Sequence, residues 1–366
     1  MRLSSVPLRN NGKRAGFLAL VVIVALSMMA ASVAPANWTS SGQSIVNWRS
    51  QPLENTISVK NASKLTPAFV INTDGDVSAT PNISDGVAYF PDWGGSLWAV
   101  NATTGAVIWK VNLAAVSGVP GAVSRTTPTS ATHGLLIVPL QNQGWLLEIN
   151  QRDGSLVWKT QLSDFTGAVL TQSPAVFRGV IYEGVSSNEE TFAADPSYPC
   201  CIFRGSMNAI SVETGQILWK TYIVPDNGGV TGGFSGGSVW GSMPVVDPAR
   251  NSVYIGTGNN YTVPDSVANC TQQPCNPPDN MVDAVIALDM NTGAVKWADT
   301  LLGLTADAWN VACFSSENPG NCPSPSGPDF DFGQGPMKIN AGGRDLLAIG
   351  QKSGMFWAID PNNGAV

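Results

Sequence analysis

The chain has 366 residues, 43% of them hydrophobic and 12% charged, with a formal net charge of -7. That is a globular composition, and an acidic chain without a Lys/Arg cluster argues against a nucleic-acid partner. The 38 glycines, 25 prolines and 12 tryptophans read as turn-rich and β-rich rather than helical.

The first 36 residues have the plan of a secretory signal peptide. Arg2, Arg9, Lys13 and Arg14 precede an apolar run from Ala15 to Ala31, and small residues offer cleavage after Ala34 or Ala36. Without this segment 15 basic residues face 26 acidic ones, a net of -11. The expected location is secreted or periplasmic, with no membrane span after signal cleavage, because no later stretch is long and apolar enough. The six cysteines suit an oxidising compartment. They fall in sequence-local pairs, Cys200-Cys201, Cys270 with Cys275, and Cys313 with Cys322. Those pairs are the simplest of the connectivities that remain formally open. His133 is the only histidine and no CxxC occurs, which speaks against zinc and against attached c-type haem.

A repeat dominates the rest of the chain. One copy runs from Gly95 through Leu97, Trp98 and Val100 to Gly105 and Trp109, and later copies end Gly154…Trp158, Gly215…Trp219 and Gly293…Trp297. Glycine and tryptophan are four positions apart each time, while the tryptophans lie 49, 61 and 78 residues apart. A constant core with variable insertions marks one structural module with loops of different length. Within each copy an alternating run, a turn of Asn, Thr and Gly, and a second strand make a hairpin. Another strand pair stands before it, such as Ala79 to Pro81 leading to Val87–Phe90. Four strands per unit, radially arranged, predict an all-β propeller. The fifth copy, Gly354 to Val366, stops two residues short of its tryptophan. The expectation is a C-terminally truncated piece of a longer propeller with about five units present.

The Gly-x-x-x-Trp hairpin resembles the repeat of the pyrroloquinoline quinone (PQQ) alcohol dehydrogenases, which are eight-bladed propellers. Gly75–Pro81, Cys200–Gly205, Asp307–Asn310 and Asp329–Gly333 look closer to the polyvinyl-alcohol-dehydrogenase branch. The resemblance makes residues 37–366 an incomplete quinoprotein-type propeller domain. It implies PQQ- and calcium-dependent oxidation of a primary or secondary alcohol, including polymeric ones such as polyvinyl alcohol, with a cytochrome c as electron acceptor. Trp240 matches the tryptophan under the quinone. Asn259 and Glu189 match calcium ligands, Glu190 being an equally available neighbour. Asp279 matches the proton-accepting carboxylate and stands with the metal. Arg125 and Lys352 are candidates for the cofactor's carboxylates, and Cys200-Cys201 for the disulfide beside the ring. Where the family has Asp-x-Trp-Asp, this chain has Asp307-Ala308-Trp309-Asn310. The chemistry suits these types: calcium takes hard oxygens, and a carboxylate near the hydroxyl serves as base. Taken singly, each has a plainer explanation as core tryptophan, turn or helix cap. The alternative function is a non-catalytic propeller, either a protein-interaction scaffold or one with a decayed cofactor site.

Overall fold

The computed structural model describes residues 37–270, 275–302, 307–316 and 319–366. The leader read at 1–36 lies outside them. Five antiparallel sheets follow one another along the chain. The first holds β1 (Asn82–Ser84), β2 (Val87–Pro91), β3 (Ser96–Asn101) and β4 (Val107–Asn112). The second holds β5 (Thr129–Ala131), β6 (Leu135–Pro139), β7 (Trp145–Asn150) and β8 (Leu156–Gln161). The third pairs β10 (Ala175–Phe177), β11 (Val180–Ser187), β12 (Ser206–Ser211) and β13 (Ile217–Tyr222), with β9 (Ala168–Val169) added to the end of β11. The fourth is β15 (Val245–Asp247), β16 (Ser252–Gly256), β18 (Val285–Asp289) and β19 (Val295–Asp299). Beside it β14 (Ser235–Gly236) pairs with β17 (Asn260–Thr262). The fifth has three strands, β20 (Met337–Ala341), β21 (Arg344–Gly350) and β22 (Phe356–Ile359). First strands neighbour one another in order: β1 lies by β5, β5 by β10, and β10 by β15. The sheets are therefore propeller blades, and their apolar faces pack blade on blade.

The repeat's two fixed residues meet across that packing. The tryptophan of each outer strand lies on the glycine of the next blade's hairpin turn. A Cβ built on Gly154, Gly215, Gly293 or Gly364 would come within 3.3 Å of the ring of Trp109, Trp158, Trp219 or Trp297 respectively. Each indole Nε1 also donates to a carbonyl of that next blade: Trp109 to Gln151, Trp158 to Val212, Trp219 to Met290 and Trp297 to Pro361. A flat ring needs a surface without a side chain, so glycine and tryptophan recur together. Phe69 takes the same place on Gly105 of the first blade.

A strap at the start of the described chain crosses the blades' inner edge. Trp38 and Ile83 exchange backbone hydrogen bonds on β1, and Thr39 accepts from Ser130 of β5. Ile45 accepts from Val246 of β15, Val46 accepts from Lys338 of β20, and the buried Asn47 amide donates to Pro336.

Candidate active site

Two kinds of segment converge on one face: loops leaving second strands, and loops entering first strands. Asn188–Thr191 follow β11, Asn259 follows β16 and Lys352 follows β21. Arg125 precedes β5, Trp240 precedes β15 and Asp331 precedes β20. All of them except Glu189 line a cavity of about 200 Å³.

Asp331 is its hub. One oxygen accepts the Trp240 indole N–H (3.1 Å) and the Lys352 ammonium (3.1 Å); the other accepts the Asn259 backbone N–H (2.7 Å). Two glycines allow this closeness. A Cβ on Gly258 would lie 3.0 Å from the Asp331 carboxylate, and one on Gly333 would lie 2.8 Å from the Trp240 ring edge. Lys352 also bonds Asp329 (2.7 Å), and its Nζ stands 5.4 Å from the Trp240 ring centroid. Asn259 spends its side-chain N–H groups on the carbonyls of Asn260 and Trp309, which leaves its amide oxygen without a donor among the described residues. Arg125 forms no ion pair among the described residues.

The site carries excess negative charge. Burial, helped by the charges of Asp331 and Asp329, pushes the Glu190 carboxyl up to about 8. Burial also raises Asp331, against the opposing pull of Lys352. Behind it, the fully buried Asp283 is held well above the usual carboxylate range, first by burial and then by the charges of Asp331 and Asp307. Among the described residues no three His, Cys, Asp or Glu side chains have metal-binding spacing. What the cavity does offer is an amide oxygen, the Glu190 carboxylate, a partly open indole and two cationic side chains. That donor set fits a planar polycarboxylate together with a hard cation.

Of the residues singled out from the sequence, Arg125, Trp240, Asn259 and Lys352 come together here, as does Glu190. Glu189 does not line the cavity. It is fully buried and its oxygens accept from Tyr198 Oη and from the backbone N–H groups of Ile202 and Phe203, so it braces a loop. Asp279 is exposed, in a turn closed by the Asn280 N–H to the Pro277 carbonyl, and is not among the lining residues. Cys200 and Cys201 are disulfide-bonded and belong to the apolar cluster of Phe203, Val185 and the lining residue Tyr261, but neither cysteine lines the cavity itself. The other two pairs, Cys270–Cys275 and Cys313–Cys322, are likewise bonded. Asp331 is a lining residue that the sequence does not single out. Its signal was the Asp329–Gly333 motif itself, where glycine follows two carboxylates.

A family model described as outer membrane protein assembly factor BamB matches residues 54–366. A polyvinylalcohol dehydrogenase of a Pseudomonas species is 29% identical over 339 residues, covering 90% of this chain and 50% of that protein. One from Sphingopyxis sp. (strain 113P3) is 34% identical over 280 residues, covering 74% of this chain and 40% of that protein. The chain thus spans about half the length of the curated relatives it matches. Among solved structures, quinohemoprotein alcohol dehydrogenase ADHIIG of Pseudomonas putida HK5 superposes with a TM-score of 0.66 at 23% identity, over 90% of this chain and 47% of that one. A europium-containing methanol dehydrogenase gives 0.66 at 19%, over 90% and 57%. At such identities these two speak for the fold. The chain belongs to the PQQ_2 propeller family, and its named homologues include polyvinylalcohol dehydrogenases and quinoprotein alcohol dehydrogenases.

Proposed function

We propose that this chain holds the cofactor of a PQQ- and calcium-dependent dehydrogenase acting on a primary or secondary alcohol, polyvinyl alcohol or a related hydroxylated chain among them. The observation that carries this is the convergence of Trp240, Arg125, Lys352, Asn259 and Glu190 on one cavity. When bound, the quinone supplies the electron acceptor for alcohol oxidation and calcium its Lewis acid. Trp240 offers the indole face, held at its rim by Asp331 and Gly333. Arg125 and Lys352 pair with ligand carboxylates. The Asn259 amide oxygen and Glu190 give hard donors to the cation. Asp331 is the lining carboxylate suited to take the hydroxyl proton, and Asp279, given that role by resemblance, is the alternative. A signal-directed, secreted or periplasmic location and a cytochrome c acceptor belong to the same reading, supported by the disulfides and the acidic surface. Among the described residues no helix is long and apolar enough to cross a membrane.

A second reading, a non-catalytic scaffold, is favoured by the description of the matched family model. Titration of the protein with PQQ, with and without Ca²⁺, followed by tryptophan fluorescence and melting temperature, separates the two. Calcium-dependent quenching that Trp240→Ala abolishes supports the cofactor site. A folded protein that takes up no PQQ at any calcium concentration leaves the scaffold. Dye-linked alcohol oxidation in Asp331→Asn and Asp279→Asn then assigns the base.

A further inference from the structure

A second cavity, about 520 Å³, is larger than the one above. It lies where the outer strands of the second and third blades end. Ser163–Thr166 follow β8, Tyr222 ends β13 with Asp226, Asn227 and Gly229 beyond it, and Tyr198–Arg204 lead into β12. In an antiparallel blade the ends of the second and fourth strands share a face with the start of the third. This groove and the candidate active site therefore open on the same face of the propeller.

Its walls are aromatic and its polar groups are balanced. Phe165 and Phe203 meet at 5.6 Å on its floor, while Tyr198 stands on one side and Tyr222, 43% exposed, on the other. The Arg204 guanidinium lies 4.0 Å from the Tyr222 ring centroid and is held there by Asp226 (3.1 Å) and the Val224 carbonyl. Both nearby cations are thus engaged, since Lys220 donates to the Leu162 carbonyl and lies in the field of Asp164. Two carboxylates and two occupied cations leave no net charge to attract an ionic ligand. The exposed Asp164 and Thr166, which make no hydrogen bond among the described residues, and the Tyr222 hydroxyl are available to hydroxyl groups.

One short element joins the two cavities. In the helix Glu189–Phe192, Glu190 lines the smaller cavity, while Glu189 anchors Tyr198, Ile202 and Phe203 of the larger.

We propose that this groove binds a neutral, polyhydroxylated chain, with C–H faces on Tyr222 and the Phe165–Phe203 floor and hydroxyls on Asp164, Thr166 and the Tyr222 hydroxyl. Aromatic faces with flanking acceptors suit such a ligand, whereas a polyanion would meet carboxylates and a purely apolar one would strand them. The proposal deepens the functional reading above, on which its choice of a polymeric alcohol rests. It gives the polymer a holding point away from the atoms that react.

The experiment is affinity electrophoresis of the full chain in native gels cast with polyvinyl alcohol, and in parallel with dextran and with polyglutamate. Retardation by a neutral polyhydroxylated polymer and none by polyglutamate is expected. Tyr222→Ala should raise the apparent dissociation constant about tenfold. Thr166→Arg, which fills the groove from an exposed position, should do the same if Tyr222→Ala fails to fold. Trp240→Ala should keep the polymer affinity while losing PQQ, which separates failure of this groove from failure of the cofactor site. Unchanged retardation in both groove variants with native melting temperatures, or no retardation of the unmodified protein by any neutral polymer, overturns the proposal.

Discussion

Gly293→Ala tests the docking of blade on blade. Gly293 has φ +72°, and an added Cβ would lie 2.6 Å from Trp219 Cε3 and 2.7 Å from Thr221 Oγ1. Two costs add. An alanine held at positive φ loses about 1 kcal/mol. The overpacked methyl costs roughly 1–3 kcal/mol. The indole cannot retreat without giving up its bond to the Met290 carbonyl, nor the threonine its bond to the Gly293 carbonyl. Gly342 is the control, with φ +60° and nothing within 4 Å of a Cβ. Gly342→Ala should carry only the conformational cost, and the gain from stiffening the unfolded chain is common to both. Urea denaturation should show Gly293→Ala less stable than Gly342→Ala by about 2 kcal/mol. Adding Trp219→Leu should remove most of that difference, because the clash and the ring are one interaction. Equal losses at the two glycines would refute the account of why the repeat pairs glycine with tryptophan.

Glu148 gives a pH test. It stands opposite Trp158 where the other four-stranded blades place Ala99, Ala209 and Ala287 opposite their tryptophans. Burial pushes its carboxyl from 4.5 to about 7. The folded state therefore holds this proton more tightly than the unfolded chain, so stability falls as pH rises from 4.5 through about 7. Glu148→Gln should be more stable than the parent at pH 8 by about 1–2 kcal/mol after allowance for screening, and equal to it near pH 4. A constant offset across pH would show that the charge is not responsible. Lys352→Met removes the cation shared by Asp329 and Asp331 and should lower stability by about 1–3 kcal/mol at neutral pH. Thermal melts should show that loss shrinking in acid, where the carboxyls are protonated; an acid-independent loss would mean that only packing was removed.

The blades were legible because a hairpin writes itself locally: alternation, a turn glycine and a strand tryptophan lie within one short window. What the tryptophan rests on was not, since its partner glycine is 45 residues away for Trp109 and 74 for Trp219 by position in the chain. The candidate site shows the same limit. Trp240 and Asn259 carry recognisable local motifs, but the grouping of Glu190 with Asp331 and Lys352 is made by loops of two different blades, the third and the fifth. No spacing rule encodes that meeting. The adjacent pair Glu189 and Glu190 is instructive, because a helix turns neighbours in different directions. One carboxylate braces the scaffold and the other faces the cavity, and the sequence offers no ground for choosing between them.

The strap from Trp38 to Asn47 has a consequence for the order of assembly. Blades that touch only their neighbours can form one after another as the chain emerges. The strap bonds to β1 and β5 but also to β15 and β20, whose residues are made some 200 to 300 positions later. The earliest described residues thus wait for the fourth and fifth blades before their last hydrogen bonds can close. They are made before the strands that complete their bonding, and their seating turns a row of pairwise contacts into a single cooperative unit.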